Sequence, residues 1–289
     1  MTKDILKILQ EKAPTFSKGQ RRIAGYLQES YDKAAFMTAS CLGKTVGVSE
    51  STVVRFAVEL GYDGYPSMQR AMQDMVRNRL TSVQRIEVTN GRMGGQDIVS
   101  AVLRGDMEKL RMTEESLSRE EFSAAVRALT NARRVYILGV RSAAPLASFL
   151  GYYLNYMLRD VHVVTEFGVG EMLEKLVGVG PGDVAIAISF PRYSASTTQG
   201  ATYCRSAGAT VIGITDVADS PPGRCCDHVL TARSDMVSLV DSLVAPLSVI
   251  NAILLAVAAE KEQELHRTLD TLERIWENYR VYEKQDDGK

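Results

Sequence analysis

The second half of the chain alternates short β-branched runs with helical segments, and this alternation constrains the fold more than any other feature. Helical spacing fills the intervals between the first four runs. Continuous apolar strands separated by helices are typical of a parallel sheet that is covered on both faces. The sequence therefore predicts an α/β domain with a five-stranded parallel sheet flanked by helices. The predicted strands are Arg134–Leu138, Val161–Val164, Val184–Ile188, Thr210–Ile214 and His228–Thr231. The helices between the first four are Ala144–Leu158, Gly168–Val177 and Ala195–Ala207.

The first 80 residues show helical spacing and predict an all-α domain. Ser17, followed three residues later by Gln20, forms a capping box, and Ser118 opens a second one. Residues 81–97 contain three glycines and little periodicity, which is typical of a linker. The other predicted helices are Ser17–Tyr31, Thr38–Thr45, Ser49–Leu60, Ser67–Leu80, Asp97–Glu115, Ser118–Ala132 and most of Ser238–Tyr282. We predict an N-terminal domain over 1–80, a linker with a connecting helix over 81–117, and the α/β domain over 118–282.

Composition narrows the class of protein. A length of 289 residues favours two domains, and 45% hydrophobic with 24% charged residues is typical of a soluble globular chain. No apolar run reaches the ~18–20 residues that span a bilayer, and the N-terminus lacks a signal-peptide pattern, so we expect a cytoplasmic protein. Four cysteines without a CxxC pair and three scattered histidines predict no disulfide framework, metal or cofactor.

The charge is unevenly distributed along the chain. Residues 1–80 carry 12 Lys/Arg and 8 Asp/Glu, a net charge of +4, whereas the remainder carries 22 and 27, a net charge of −5. A basic module on an acidic body is the pattern expected when one end meets a polyanion.

Residues 39–60 have the proportions of a helix-turn-helix, with Gly47 in the tight turn and Val48 and Val53 as core contacts. The second helix begins with small hydroxyl residues, which can approach phosphates or base edges in DNA. One turn later, Arg55 can donate two hydrogen bonds to a guanine base or bind a phosphate group. The alternative is that Ser49 is only an N-cap and Arg55 a solvated side chain.

Residues 46–56 (VGVSESTVVRF) and 60–65 (LGYDGY) closely resemble the N-terminal domain of RpiR-type bacterial transcriptional regulators, and the resemblance extends over residues 1–80. It implies DNA binding by the helix that starts near Ser49. We expect four contacts from that helix and a phosphate contact from the preceding one. The predicted DNA-binding residues are Lys44, Ser49, Ser51, Thr52 and Arg55.

Two predicted strands run into a turn that opens a helix. The first turn, Gly139–Ala143, contains a glycine and one hydroxyl residue, and the second, Ser189–Thr198, contains a cluster of hydroxyl residues. A strand that turns into a helix can cradle an anion with backbone N–H groups and hydroxyls. Ligands of open parallel sheets bind beyond the carboxyl ends of strands, so both loops can face one crevice, to which Arg141 and Arg192 would add positive charge. The alternative is that residues 194–198 only cap a helix.

These loops resemble those of the sugar isomerase (SIS) domain, which follows the DNA-binding domain in RpiR-type regulators, and the resemblance covers about residues 120–265. It implies phosphosugar binding by a G-x-G-x-S loop and an S-x-S-G-x-T loop. The chain departs from both patterns: Arg141 and Arg192 stand at glycine positions, and Ala143 and Pro191 at serine positions. Two hydroxyls are lost and two guanidinium groups are gained, so the ligand is expected to be acidic, with a phosphosugar as one candidate. The predicted effector-binding residues are Arg141, Ser142, Ser189, Arg192, Tyr193 and Ser194.

Three hypotheses follow, led by a one-component regulator that binds duplex DNA and an acidic metabolite. As a homo-oligomer, dimer or tetramer, it would place recognition helices ~34 Å apart on DNA. The second is a sugar-phosphate isomerase with an accessory N-terminal domain, whose candidate bases are Glu166, Glu171 and His162. The third is a scaffold that only dimerises the DNA-binding domain through the apolar segment Val244–Ala258. Each feature also has a purely structural alternative: the segment Val244–Ala258 is part of the core, and Arg141 and Arg192 bind surface carboxylates such as Glu166 or Glu171.

Overall fold

A computed structural model describes residues 5–79, 97–166, 168–234 and 240–282. The chain divides into two compact units, one formed by residues 1–97 with 236–240 and the other by the remaining residues. The predicted linker over 81–97 lies outside the described residues, except for Asp97.

The first unit is helical in its described residues, as predicted. Its helices are α1 Ile5–Lys12, α2 Lys18–Glu29, α3 Tyr31–Ala34, α4 Ala39–Val46, α5 Glu50–Glu59 and α6 Tyr65–Arg79. Helices α1 and α3 were not expected from the sequence. Helix α6 begins at Tyr65 rather than at Ser67, because proline is accommodated in the first turn of a helix and Pro66 therefore does not delay its start.

Local signals set where these helices begin, and a single core holds them together. Ser17 caps α2 with both halves of the predicted capping box, since its hydroxyl accepts from the Gln20 amide and its own amide donates to the Gln20 side chain. The interior is formed by apolar side chains from every helix of the unit, among them Ile5, Leu9, Ile23, Leu27, Leu42, Val53, Phe56, Met68 and Met72. Helices this short are marginally stable by themselves, so burial of their apolar faces in the shared core supplies most of their stability.

The second unit contains the predicted parallel sheet, in the order β2-β1-β3-β4-β5. Its strands are β1 Val135–Leu138, β2 Val161–Val164, β3 Val184–Ile188, β4 Thr210–Thr215 and β5 His228–Thr231. Its helices are α7 Ile98–Ser116, α8 Arg119–Thr130, α9 Ala144–Leu154, α10 Val169–Lys175, α11 Ala195–Ser206, α12 Val244–Glu260 and α13 Glu262–Tyr279. The register places Leu138 at the end of β1 opposite Val164 of β2 and Ala187 of β3.

Helices cover both faces of the sheet. Alternate residues of the strands pack on α8, α9 and α12 on one face, and the others pack on α10 and α11 on the second face. Helix α12 contributes seven buried residues, so about half of the segment Val244–Ala258, which the scaffold hypothesis assigned to a dimer interface, lies in the core. No single helix in the described part of the chain is long and apolar enough to cross a membrane. Helices α12 and α13 meet that test of length and composition only as a pair, bent by 98°.

A buried carboxylate connects the strands at the amino end of the sheet. Asp183, which has no exposed surface, accepts two hydrogen bonds of 2.9 Å from Arg133 and two of 3.3 and 3.1 Å from Arg134. The Gly180 amide donates a further bond of 2.9 Å. Burial by itself would raise the pKa of Asp183, but these hydrogen bonds outweigh it and hold the pKa below its ordinary value. Asp183 is therefore a charged crosslink between the start of β1 and the start of β3.

Candidate functional site

The turn between α4 and α5 is very compact. Gly47 ends α4 in the left-handed region at φ 71°, which glycine adopts without steric cost. At Gly43, a Cβ atom would lie 2.8 Å from the Val48 carbonyl oxygen, so this position also requires glycine. Val53, the core contact predicted for this turn, is fully buried, whereas Val48 is partly buried. The predicted helix-turn-helix therefore forms.

The N-terminus of α5 carries a cluster of hydroxyl groups. The Ser49 hydroxyl accepts from the Thr52 amide as the N-cap and lies 2.9 Å from the Ser51 hydroxyl and 2.8 Å from the Thr52 hydroxyl. The capping role that was the alternative for Ser49 is therefore real. Helix dipole and hydroxyls together make this helix end suitable for a phosphate group.

The predicted cations of this unit face outward. Lys44 and Arg55 are exposed, as are Ser49 and Ser51, while Thr52 is partly buried. The Arg55 Nε donates to the Ser51 carbonyl oxygen at 3.3 Å, which lays the side chain along the first turn of α5. Glu50, Ser51, Val54 and Arg55 line a shallow depression of about 600 Å³. The five predicted DNA-binding residues thus lie on one helix-turn-helix, with four of them exposed.

In the second unit, the two predicted loops leave neighbouring strands at the same edge of the sheet. The chain enters α9 on one face after β1 and α11 on the opposite face after β3, so these two strands flank the topological switch point. In open parallel sheets the crevice at this point, beyond the carboxyl ends of the strands, is where ligands bind. At Gly139 a Cβ atom would lie 2.9 Å from the Ala147 Cβ, so glycine lets α9 approach the end of β1.

Each loop carries an arginine in the left-handed region. Arg141 has φ 56° and Arg192 has φ 65°, and both residues are exposed. At both of these positions the SIS pattern has glycine. A left-handed conformation costs an L-residue about 1–2 kcal/mol, so the backbone shape of a glycine loop is kept here at the expense of strain.

Hydroxyl groups hold the loop after β3. Ser194 caps α11 by accepting from the Thr197 amide, which confirms the capping alternative for this segment. The Ser194 amide donates to the buried Ser189 hydroxyl at 3.2 Å, so Ser189 closes the loop on itself. On the other loop, Ser142 is exposed in a 3₁₀ turn over Arg141–Ala143.

Three polar groups near this edge are absent from the predicted effector-binding set, although Glu166 was named as a candidate base and Thr197 lies in the predicted loop. Asp216, directly after β4, accepts hydrogen bonds from the Tyr193 hydroxyl at 2.7 Å and the Thr215 hydroxyl at 3.2 Å. The Thr197 hydroxyl at the start of α11 and one carboxylate oxygen of Glu166 after β2 are buried without a hydrogen-bond partner among the described residues. Each of these residues follows a predicted strand in the sequence, and this was the signal that could have identified it. Only the fold shows that the three strands end at the same edge of the sheet.

Comparison with known proteins identifies both units. Residues 3–79 match the family described as the helix-turn-helix domain, rpiR family, and residues 128–256 match the SIS domain. An uncharacterised HTH-type transcriptional regulator of Caldanaerobacter subterraneus is 22% identical over 94% of this chain and 96% of its own length. The HTH-type transcriptional regulator HexR of Pseudomonas aeruginosa is 22% identical over 87% of this chain and 88% of its own.

Solved structures agree in fold. The sugar isomerase domain of an RpiR transcription factor from Sphaerobacter thermophilus is 30% identical with a TM-score of 0.59, covering 62% of this chain and 99% of that one. NanR of Vibrio vulnificus, solved with ManNAc-6P, is 18% identical with a TM-score of 0.58, covering 94% of this chain and 99% of that one. The chain therefore belongs to the RpiR family of transcriptional regulators, with an N-terminal helix-turn-helix domain and a C-terminal SIS domain.

Proposed function

We propose that this protein is a one-component regulator that binds operator DNA with α5 and changes its DNA affinity when an acidic metabolite binds the SIS crevice. The exposed N-terminus of α5 carries the first half of the proposal, because the capped hydroxyl cluster and Arg55 face solvent rather than the core. Lys44, one helix earlier, supplies a second exposed cation for the phosphate backbone.

The crevice at the switch point is the proposed effector site. Arg141 and Arg192 would bind the anionic group, because guanidinium forks hold phosphate and carboxylate bidentately. Ser142, Tyr193 and Ser194 would complete the site, with Ser189 fixing the loop. NanR binds ManNAc-6P, which supports a phosphosugar as one candidate for the ligand. Dimers or tetramers in a cytoplasmic setting would present paired recognition helices to a two-fold operator.

We propose no catalytic activity for the SIS domain, since the relatives are named as regulators. Two of the three candidate bases support this. His162 lies in the middle of β2, opposite Tyr136 in the register, with its Nε2 only 2.7 Å from Asp160, and Glu171 is exposed on α10. Glu166 alone stands at the carboxyl end of its strand with a buried oxygen atom, so turnover of a panel of sugar phosphates is the measurement that separates a regulator from an isomerase.

A gel-shift titration with the upstream DNA of its own gene tests the DNA half of the proposal. Arg55→Ala should weaken binding by about 1–3 kcal/mol, the usual loss for one base-reading arginine. Arg274→Ala is the matched control, because Arg274 is also exposed and its Nε also donates to a carbonyl one turn back, but it lies in the second unit. Absence of any retardation by the purified protein at low salt would overturn the proposal.

Thermal-shift screening with sugar phosphates and sugar acids, ManNAc-6P included, tests the effector half. A ligand at 100 times its Kd should stabilise the protein by about 2.7 kcal/mol. The same ligand should change operator affinity roughly 5- to 150-fold, and DNA should change ligand affinity by the same factor. A ligand that binds without altering DNA affinity would contradict the coupling.

A further inference from the structure

The exposed side of α5 is partly apolar. Val53, Phe56 and Ala57 form the buried side of this helix, whereas Val54 is 37% exposed and Val58 is 56% exposed. These two valines lie one turn apart on the helix that the proposed function places on DNA. Exposed aliphatic side chains add nothing to phosphate binding, but on a helix that enters the major groove they can contact the apolar parts of base edges.

Val54 lies where that helix would meet base edges. It lines the depression of about 600 Å³ together with Glu50, Ser51 and Arg55, all within the first two turns of α5. Residues near the N-terminus of a recognition helix contact bases in the major groove.

We infer that Val54 selects thymine in the operator by packing its methyl groups against the thymine C5-methyl group. In the major groove of unmodified DNA, this methyl group is the apolar feature of the base edges, and aliphatic side chains read it by contact. Arg55, the next residue, contacts an adjacent guanine or phosphate. The inference rests on the proposed function, and it adds a specificity-determining residue that phosphate-binding and hydroxyl patterns do not reveal.

The experiment removes only the methyl group. An operator is first selected from random duplex DNA with the full-length protein, and each thymine is then replaced in turn by deoxyuridine. At one position in each half-site the replacement should weaken binding about fourfold, the value of one buried methyl group. In the Val54→Ala variant, whose shorter side chain has only the Cβ methyl group left to contact the base, the same replacement should have a clearly smaller effect.

Val58→Ala is the matched control, since it removes the same side chain from the same stripe one turn further from the helix start. It should keep the fourfold sensitivity to deoxyuridine. Both valines are exposed, so both variants should fold, and helix content by circular dichroism together with unfolding midpoint checks this. Val54→Thr, which keeps one methyl group, is a second variant expected to retain part of the sensitivity.

The outcomes separate the two proposals. If no duplex binds, the proposed function fails, and this inference with it. If the selected operator binds but deoxyuridine has no effect at any position, or if Val54→Ala leaves the effect intact, the inference is wrong and the proposed function stands. Loss of the effect in Val58→Ala instead would equally reject the assignment to Val54.

Discussion

Two pairs of arginines lie at opposite ends of the same sheet. At the amino end, Arg133 and Arg134 bind the buried Asp183 with an ordinary backbone. At the carboxyl end, Arg141 and Arg192 are exposed and held at positive φ. The first pair lies where the fold provides its own counter-charge. The second lies where a glycine would fit the backbone better.

The difference distinguishes stabilising residues from binding residues. A charge that serves the fold is paired with a buried partner, and the surrounding conformation is relaxed. A non-glycine residue held at positive φ is strained, and this indicates that its side chain serves a function other than stabilising the fold. The amino end therefore stabilises the fold, whereas the strain at the carboxyl end supports the proposal that its arginines bind a ligand, and the two ends can be tested separately.

The largest effect is expected at the amino end. Asp183→Asn should lower the free energy of unfolding by ~2–3 kcal/mol, because the hydrogen bonds from Arg133, Arg134 and the Gly180 amide lose their buried charged acceptor. Denaturant unfolding measures this. Asp219→Asn is the control, since Asp219 pairs with Arg224 in the same two-bond geometry at 2.9 and 3.2 Å but is 54% exposed. Equal losses in the two variants would show that burial does not matter here.

Ligand affinity should respond only at the carboxyl end. Arg141→Ala and Arg192→Ala should each weaken binding of the ligand found by thermal shift by roughly 10- to 100-fold, the value of charged hydrogen bonds. Calorimetric titration measures the affinity. Arg133→Ala should leave it unchanged, and a loss in that variant comparable to the other two would break the comparison.

Backbone strain predicts a smaller effect on stability. With either crevice arginine replaced, the glycine variant should be more stable than the alanine variant by about 1 kcal/mol, because only alanine retains the left-handed strain. At Arg134, where φ is negative, alanine should be the more stable of the two. Thermal unfolding without ligand gives both comparisons, and the same order at all three positions would reject the strain argument.

Acid provides the finest test of the amino-end pair. Hydrogen bonds hold the pKa of Asp183 below its ordinary value, so its charged form stabilises the fold at neutral pH, and this contribution is lost as the pH falls through the folded-state pKa. The difference in unfolding free energy between the native protein and Asp183→Asn should therefore shrink towards low pH. Denaturant curves at several pH values measure it, and a constant difference would contradict the charged crosslink.

Local patterns predicted the secondary structure well. Ser17 and Ser118 were identified as caps from their spacing to Gln20 and Glu121, and the structure confirms both. All five strands were predicted, because a run of β-branched residues is a local signal that requires no knowledge of contacts between distant residues. Helix α1 was missed, although its buried residues Ile5 and Leu9 stand at helical spacing and an aspartate precedes Ile5 in the sequence.

The sites were predicted less completely, because their chemistry depends on contacts between distant residues. The Asp216 carboxylate accepts a hydrogen bond from Tyr193 of the loop after β3, and Asp183 binds Arg133, which is 50 positions away in the sequence. The positive φ of Arg141 and Arg192 could not be derived from their identity, since arginine normally avoids that region. The SIS pattern, which has glycine at both positions, was the signal in the sequence that their backbone conformation is unusual.

The crevice arginines stand on short stretches after β1 and β3 in which core residues alternate with residues that face solvent. Val140, Ala143 and Phe190 belong to the hydrophobic clusters of the unit, whereas Arg141, Ser142, Arg192 and Tyr193 lie outside them. Substitutions at these four positions leave strand register and core intact, so recognition can diverge among relatives while the scaffold stays the same. A laboratory search for a sensor of a different metabolite would begin by randomising only them.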